Sequence, residues 1–82
     1  MGGGNGDLPR LPSSQAETSV LGAILLDNAR LSEVADRLSP SAFFYPPYGR
    51  IFKCMQKIAR ERRPIDLVTL TEELRARRGL MP

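Results

Sequence analysis

Residues 47–63 read PYGRIFKCMQKIARERR, and this stretch decides the fold class. Its apolar residues recur every three or four positions, which is typical of an amphipathic helix with one buried face. They are Tyr48, Ile51, Phe52, Met55, Ile58 and Ala59. Pro47 suits the first turn of a helix, and Pro64 disfavours a helical residue before it. The pattern therefore predicts a long helix that begins near Pro47 and ends before Pro64.

A row of basic residues runs along the same predicted helix, beside the apolar stripe. The row consists of Arg50, Lys53, Lys57 and Arg60. Residues spaced by three and four positions share one helix face. Such a row can contact the phosphates of a nucleic acid, although basic helix faces are often simply solvated. We take these four residues as a candidate interaction face, with a solvated surface as the alternative.

Upstream, Ser14-Gln15-Ala16-Glu17 has the spacing of a capping box. In this motif Ser14 would cap a helix and the Glu17 side chain would bond back to the cap. The apolar residues behind it fall at helical spacing: Val20, Leu21, Ile24 and Leu25. This predicts a helix from about Gln15 to Leu26, which Asp27-Asn28 then ends.

A shorter helix is predicted next, from the spacing of Leu31, Val34, Ala35 and Leu38. Ser39-Pro40 ends it and can open a single further turn. The aromatic cluster Phe43-Phe44-Tyr45 follows. It could stack on bases, but we favour a loop fixed to the core by Phe43 or Phe44, since a small domain needs its large apolar side chains inside.

The last predicted helix has the clearest ends. Asp66 is a good N-cap, and Ile65 and Leu70 are placed as a hydrophobic staple. Leu67, Leu70 and Leu74 are expected to face inward, whereas Glu72-Glu73 looks like a solvated face. Gly79 can end the helix in the left-handed conformation, with Leu80 folding back.

These elements predict an all-α fold, a small bundle of about four helices with short connections. We expect residues 1–12 to be a flexible leader and residues 13–82 to be one helical domain. The predicted core is Val20, Leu21, Ile24, Leu25, Val34, Leu38, Phe43, Ile51, Phe52, Met55, Leu70 and Leu74. The predicted caps are Ser14, Glu17, Asp66 and Gly79.

Charge is distributed unevenly along the chain, whose net charge is +3. Residues 1–48 carry three basic and five acidic side chains, whereas residues 49–82 carry nine basic and four acidic ones. A positive second half is compatible with nucleic acid or an acidic protein surface as a partner, but on charge alone a solvated surface is the favoured explanation.

The composition offers little for catalysis. There is no histidine to act as a base or to bind zinc, and Cys54 lies in a helical pattern as a small packed residue. No Gly-x-x-x-x-Gly-Lys-Ser/Thr loop is present to hold a nucleotide. We therefore expect no catalytic, cofactor or metal site in this segment. A signal peptide and a membrane-spanning run are also missing, so a cytoplasmic protein is expected.

Three blocks of the sequence resemble DnaB-type replicative DNA helicases. They are residues 16–28, from Ala16 to Asn28; Phe43-Phe44 with Pro46, Ile51-Phe52 and Met55; and residues 64–70, with Gly79-Leu80 at the end. The blocks keep the family's order and cover residues 11–80. The resemblance implies the N-terminal domain of such a helicase, a helical globule followed by a helical hairpin.

In that family, the N-terminal domains pair into a collar on a hexameric ring. The resemblance therefore implies a scaffolding and protein-interaction domain acting in DNA replication, with helicase subunits, primase and helicase loader as partners. ATP and magnesium would serve a separate C-terminal motor. The sequence stops where the hairpin would begin, and Tyr48-Gly49 stands where the family commonly has His or Asn followed by Arg. The alternative is a free-standing, small basic helical module that binds nucleic acid.

Overall fold

The computed structural model describes residues 11–79, without the side chains of residues 78 and 79. Helix α1 spans Ser14–Leu26, α2 spans Arg30–Ala35, a 3-10 turn spans Pro40–Ala42, α3 spans Pro46–Arg60 and α4 spans Leu67–Gly79. No strand occurs within residues 11–79. The predicted all-α fold of about four helices is therefore confirmed.

The expected leader lies mostly in residues 1–10, outside the described part. Leu11, which the prediction placed in that leader, is half-buried and packs against the core. Its backbone N–H donates to the carbonyl oxygen of Ala42 at 3.3 Å.

Helix α3 lies at the centre of the core, as its apolar stripe predicts. Phe52, Met55 and Ile58 are fully buried, and the Phe52 ring centroid lies 5.2 Å from that of Phe43. The other helices and loops bring further buried residues to this stripe, namely Leu21, Ile24, Leu31, Ile65 and Leu70. Half-buried side chains pack around them, among them Val20, Leu25, Val34, Ile51 and Leu74.

Two apolar residues lie farther out than expected. Leu38 is half-buried and lines a surface hollow together with Val34 and Arg37. Leu67 does not face inward, because 71 % of it is exposed. Leu67 is the first residue of α4, so it lies at the end of the helix, one turn before Leu70, where the packing against the core begins. The helical spacing gave the correct face, but it could not show that the core does not reach the first turn.

The predicted cap of α1 at Ser14 is wrong by one residue. The hydroxyl of Ser13 accepts from the backbone N–H of Ala16 at 3.1 Å, and Ser13 has the extended backbone of an N-cap. Ser14 is already helical. Two consecutive serines offer the same hydroxyl, so local sequence could not choose between them. The carboxylate of Glu17 does not close a capping box, because it is used elsewhere.

Helix α3 ends before Pro64, as predicted, but it ends earlier than Pro64 requires. The helix stops at Arg60, and Arg62 takes a left-handed backbone with φ of 60°. The backbone N–H of Arg63 still donates to Ile58 at 3.2 Å, which closes the helix end. The left-handed backbone at Arg62 therefore ends the helix, two residues before Pro64.

Helix α4 begins at the residue predicted. Asp66 Oδ1 accepts from the backbone N–H of Thr69 at 2.9 Å, and the Thr69 hydroxyl accepts from the Asp66 N–H at 3.0 Å. This exchange satisfies donors that the first turn of a helix leaves free. Gly79 is the last residue of α4. Its expected left-handed stop depends on Leu80, which lies outside the described residues.

Asn28 joins the end of α1 to the start of α4. Its amide nitrogen donates to the carbonyl oxygens of Ile24 at 2.8 Å and Ile65 at 3.0 Å. Its amide oxygen accepts from the backbone N–H of Ile65 at 2.9 Å. One side chain therefore fixes two backbone segments that lie 37 residues apart.

Gly49 permits a close contact near the start of α3. It is buried, and a Cβ atom at this position would lie 2.8 Å from the carbonyl oxygen of Pro40. The 3-10 turn can rest against α3 only because this side chain is missing. None of the described helices is long and apolar enough to cross a membrane.

Candidate functional site

The exposed side of α3 carries the basic row that the sequence predicts. Arg50, Lys53 and Arg60 are exposed, and none of them forms an ion pair within residues 11–79. Residues 46–60 contain no Asp or Glu. The helix therefore presents an uncompensated positive face to solvent.

Lys57 differs from the other three members of the row. Its Nζ atom lies 2.7 Å from Glu61 Oε2 and 3.1 Å from Glu73 Oε2. Hydrogen bonds to Glu61 first, and then to Glu73, raise the pKa of the Lys57 ammonium group. Lys57 is therefore occupied by two carboxylates of its own chain. Of the four residues in the row, Arg50, Lys53 and Arg60 are therefore the ones left for an external anion.

Lys57 belongs to a charge cluster that joins the end of α3 to α4. Arg63 Nη1 lies 2.7 Å from Glu61 Oε1 and 3.7 Å from Glu73 Oε1. Bonds from Lys57 first, and then from Arg63, hold the pKa of Glu61 below its ordinary value of 4.5. The arrangement connects the end of α3 to α4 through the shared carboxylates of Glu61 and Glu73.

Glu73 in this cluster corrects a prediction. It was expected on a solvated face, but only 7 % of it is exposed. It lies one turn from Leu70 and beside Leu74, so its helical position matched the buried face. This helical spacing was the signal in the sequence that could have indicated the burial of Glu73. A buried carboxylate needs partners, and Lys57 and Arg63 supply them.

A shallow groove runs between α2 and α3 beside the basic row. It encloses about 350 Å³. From α2 and the residues just before it come Ala29, Leu31, Ser32 and Ala35, and from α3 come Gln56, Ala59 and Arg60. Arg60 thus belongs both to the groove and to the basic row. The sequence did not indicate this groove, because helical spacing does not show which faces of two helices border a hollow.

The aromatic cluster divides between core and surface. Phe43 is buried, as expected, whereas 78 % of Phe44 and 50 % of Tyr45 are exposed. Glu17 fixes the backbone of this loop. Its Oε2 accepts from the N–H of Phe44 at 2.8 Å, and its Oε1 accepts from the N–H of Tyr45 at 3.3 Å. The predicted helix cap is thus a buried acceptor for a distant loop.

Cys54 is a residue of α3 and has no exposed surface. Burial is the main cause that raises the pKa of its thiol, although the nearby Arg77 charge acts in the other direction. A thiol with a raised pKa is a poor nucleophile at neutral pH. Within residues 11–79, no group of three or more His, Cys, Asp or Glu side chains is placed to hold a metal ion.

Comparison with known proteins gives the family. The model of the DnaB-like helicase N terminal domain matches residues 10–82. This chain belongs to that family. The family resemblance drawn from the sequence is therefore confirmed, and the match includes every helix described above.

Curated relatives of this DnaB-like domain are named as replicative DNA helicases DnaB. The protein from Geobacillus stearothermophilus is 42% identical over 69 residues, which are 82% of this chain and 15% of the relative. The one from Buchnera aphidicola subsp. Acyrthosiphon pisum is 44% identical over 62 residues, 76% of this chain and 14% of the relative. The Rhodothermus marinus protein is 36% identical over 61 residues, 74% of this chain and 6% of the relative.

The DnaB-like chain therefore spans between 6% and 15% of the length of these relatives. No solved structure matches it. The blocks that carried the resemblance have distinct places in the fold. The first forms α1 with Glu17, the second forms the aromatic loop and the start of α3, and the third forms the start of α4.

Proposed function

We propose that this chain is the N-terminal scaffolding and protein-interaction domain of a replicative DNA helicase, acting in DNA replication. One observation carries the proposal, namely the family match across residues 10–82. Relatives that are named replicative DNA helicases support it. Other helicase subunits, primase and helicase loader are the proposed partners, and the cytoplasm is the proposed location.

ATP-dependent unwinding belongs, in this proposal, to a motor region outside the matched segment. The residues present do not fit ATP and magnesium. No glycine of the chain is followed by the Lys-Ser/Thr that cradles phosphates. Within the described residues, Glu61 and Glu73 between α3 and α4 are engaged by Lys57 and Arg63 instead. The domain itself is therefore proposed to hold no catalytic or nucleotide site.

A chimaera tests this function. The 69 residues of the Geobacillus stearothermophilus helicase that align with this chain would be replaced by the corresponding residues of this chain. We expect the chimaera to keep its ring assembly and its ATP-dependent unwinding, measured by light scattering and a strand-separation assay. A helicase lacking the segment is the reference for loss.

A matched variant shows whether ring assembly depends on the folded state of the domain. Phe52→Ala should cost about 3–5 kcal/mol of stability, because it leaves a cavity under α3. The chimaera with Phe52→Ala should therefore assemble less well than the parent chimaera. A chimaera that assembles no better than the deletion would refute the scaffolding function.

Exposed Arg50, Lys53 and Arg60 favour a second candidate function, a small module that binds nucleic acid. For duplex DNA, each phosphate contact lowers the logarithm of the binding constant by about 0.9 for every tenfold rise in salt concentration. Three contacts would therefore give about three times that slope. Fluorescence anisotropy with single- and double-stranded oligonucleotides at low ionic strength measures it. Lack of binding to both would exclude this function.

A further inference from the structure

The groove between α2 and α3 has an apolar floor and a positively charged rim. Ala29, Ala35 and Ala59 contribute exposed methyl groups to it. Arg60 lines the groove, and Lys53 lies two helical turns before Arg60 on the same face of α3. Apolar contact and positive charge are therefore available to one ligand at the same time.

The charge of this rim has no counterpart within the described residues. Neither Lys53 nor Arg60 pairs with a carboxylate there. On the α2 side, the guanidinium of Arg30 is 3.9 Å from Asp27 and 3.7 Å from Glu33, so these three groups together carry one negative charge. The uncompensated positive charge lies on the α3 side, so the anionic groups of a ligand would be placed there, against Arg60 and Lys53.

The dimensions of the groove limit the ligand. Helix α2 has six residues, so the groove is about 9 Å long at 1.5 Å per residue. A volume of about 350 Å³ accommodates one or two apolar side chains. No aromatic residue lines it, so it lacks the stacking surface that proteins use for unpaired bases. These features favour an acidic peptide with apolar side chains over a nucleic acid.

We propose that the groove between α2 and α3 binds a short acidic segment of a partner protein. Apolar side chains of the segment rest on Ala35 and Ala59, and its carboxylates pair with Arg60 and Lys53. The proposal rests on the proposed function as a protein-interaction domain, and it adds the chemistry of one partner segment.

The test uses the full 82-residue chain and synthetic peptides. The probe is a fluorescent peptide of about ten residues, long enough to span the groove as a helix, with a pair of leucines on one face and glutamates directly beside them. One control peptide has glutamine for glutamate, and another has serine for leucine. We expect both controls to bind about tenfold more weakly or worse, since each loses one of the two contacts.

Variants of the chain locate the binding surface. Arg60→Glu reverses the rim charge, and Ala59→Leu fills the floor of the groove. Each should weaken binding of the probe by about tenfold or more. Arg75→Glu is the matched control, because it makes the same charge change in a surface hollow lined by Leu67 and Val68. It should bind as the parent does. Thermal melting of each variant verifies that it is folded.

Three results would overturn the proposal. If Ala59→Leu left the affinity for the peptide unchanged, the peptide would bind outside the groove. Binding of a single-stranded oligonucleotide through Arg60, without peptide binding, would make the surface a nucleic-acid site. Failure of the parent chain to bind the acidic peptide would remove the proposal altogether. In each case the assembly of the chimaeric helicase is an independent result, so the proposed function can survive.

Discussion

Glu17 is an ionisable side chain with only 2 % of its surface exposed. Its carboxylate accepts the backbone N–H groups of Phe44 and Tyr45, and no cation pairs with it in the described part of the chain. Two backbone donors thus compensate for the burial of the charge. The residue joins α1 to the loop that precedes α3.

Replacing Glu17 with alanine should therefore destabilise the domain by about 2–3 kcal/mol, because two backbone donors lose a charged acceptor. Urea denaturation followed by circular dichroism measures the change. Glu17→Gln keeps one acceptor oxygen and should cost less. Ser19→Ala, at an exposed position of the same helix, is the control and should change little. An alanine variant as stable as the parent would contradict the role given to this carboxylate.

Asn28 makes three hydrogen bonds with one amide group, to Ile24 and to both backbone groups of Ile65. Asn28→Ala should cost about 2 kcal/mol, since part-buried backbone groups then lose their partners. Asn28→Asp keeps the acceptor but loses the donor, so its stability should lie between that of the parent and that of Asn28→Ala. Hydrogen exchange at the Ile65 amide is the direct measurement. Unchanged protection in the alanine variant would show that water replaces the side chain.

Single residues were the hardest features to predict from the sequence. A Ser-x-x-Glu pattern has a local explanation, so it gave no sign that Glu17 reaches a loop 27 residues away. Asn28 was read as a residue that ends a helix, which is true, but its link to Ile65 depends on tertiary packing. Asp66 was predictable because a cap depends only on its own first turn.

At the scale of elements, α3 was predictable because its apolar and basic residues occupy separate faces. Helices α1 and α4 are less clearly amphipathic, and the spacing of Leu67 could not show that the first turn of α4 lies beyond the core. The basic row was identified from its spacing. The pairing of Lys57 with Glu73 was not, because Glu73 comes from another helix.

The connection between α3 and α4 contains the one described residue other than glycine with positive φ, Arg62. This conformation brings Cβ close to the backbone and costs about 1–2 kcal/mol for an L-residue. Arg62→Gly should therefore stabilise the domain by about 0.5–1 kcal/mol, less the greater freedom that glycine gives to the unfolded chain. The midpoint of thermal unfolding measures it.

Arg62→Ala is the control, because it removes the side chain while keeping Cβ. Arg62 is exposed, so this change should alter stability little. If both variants gain stability equally, charge rather than backbone conformation would be the cause.

At the scale of the whole molecule, the cluster around Glu61 makes stability depend on pH. The pKa of Glu61 is lowered from 4.5 in the folded state, chiefly by Lys57. Its contribution is therefore complete above that unfolded value and is lost as the pH falls through the folded one. The pKa of Lys57 is raised from 10.5, so its contribution is complete below 10.5 and is lost at still higher pH.

We expect Glu61→Gln to reduce the loss of stability below pH 4.5 relative to the parent. Urea midpoints measured across the acid range test this, and added salt should reduce the difference because the group is exposed. Asp36→Asn, at an exposed position without an ion pair in residues 11–79, is the control. If the urea midpoints of the parent and of Glu61→Gln fell equally with decreasing pH, the role given to the ion pairs of Glu61 would be contradicted.

The close contact at Gly49 has a consequence for how this domain can diverge. A side chain at position 49 and the present spacing between the 3-10 turn and α3 exclude each other, since a Cβ would lie 2.8 Å from Pro40 O. The two features must therefore change together. A homologous sequence with a larger residue at position 49 must hold its turn farther from the helix. Transplanting that residue alone into this chain would shift the turn, and with it the Phe44 loop that leads into α3.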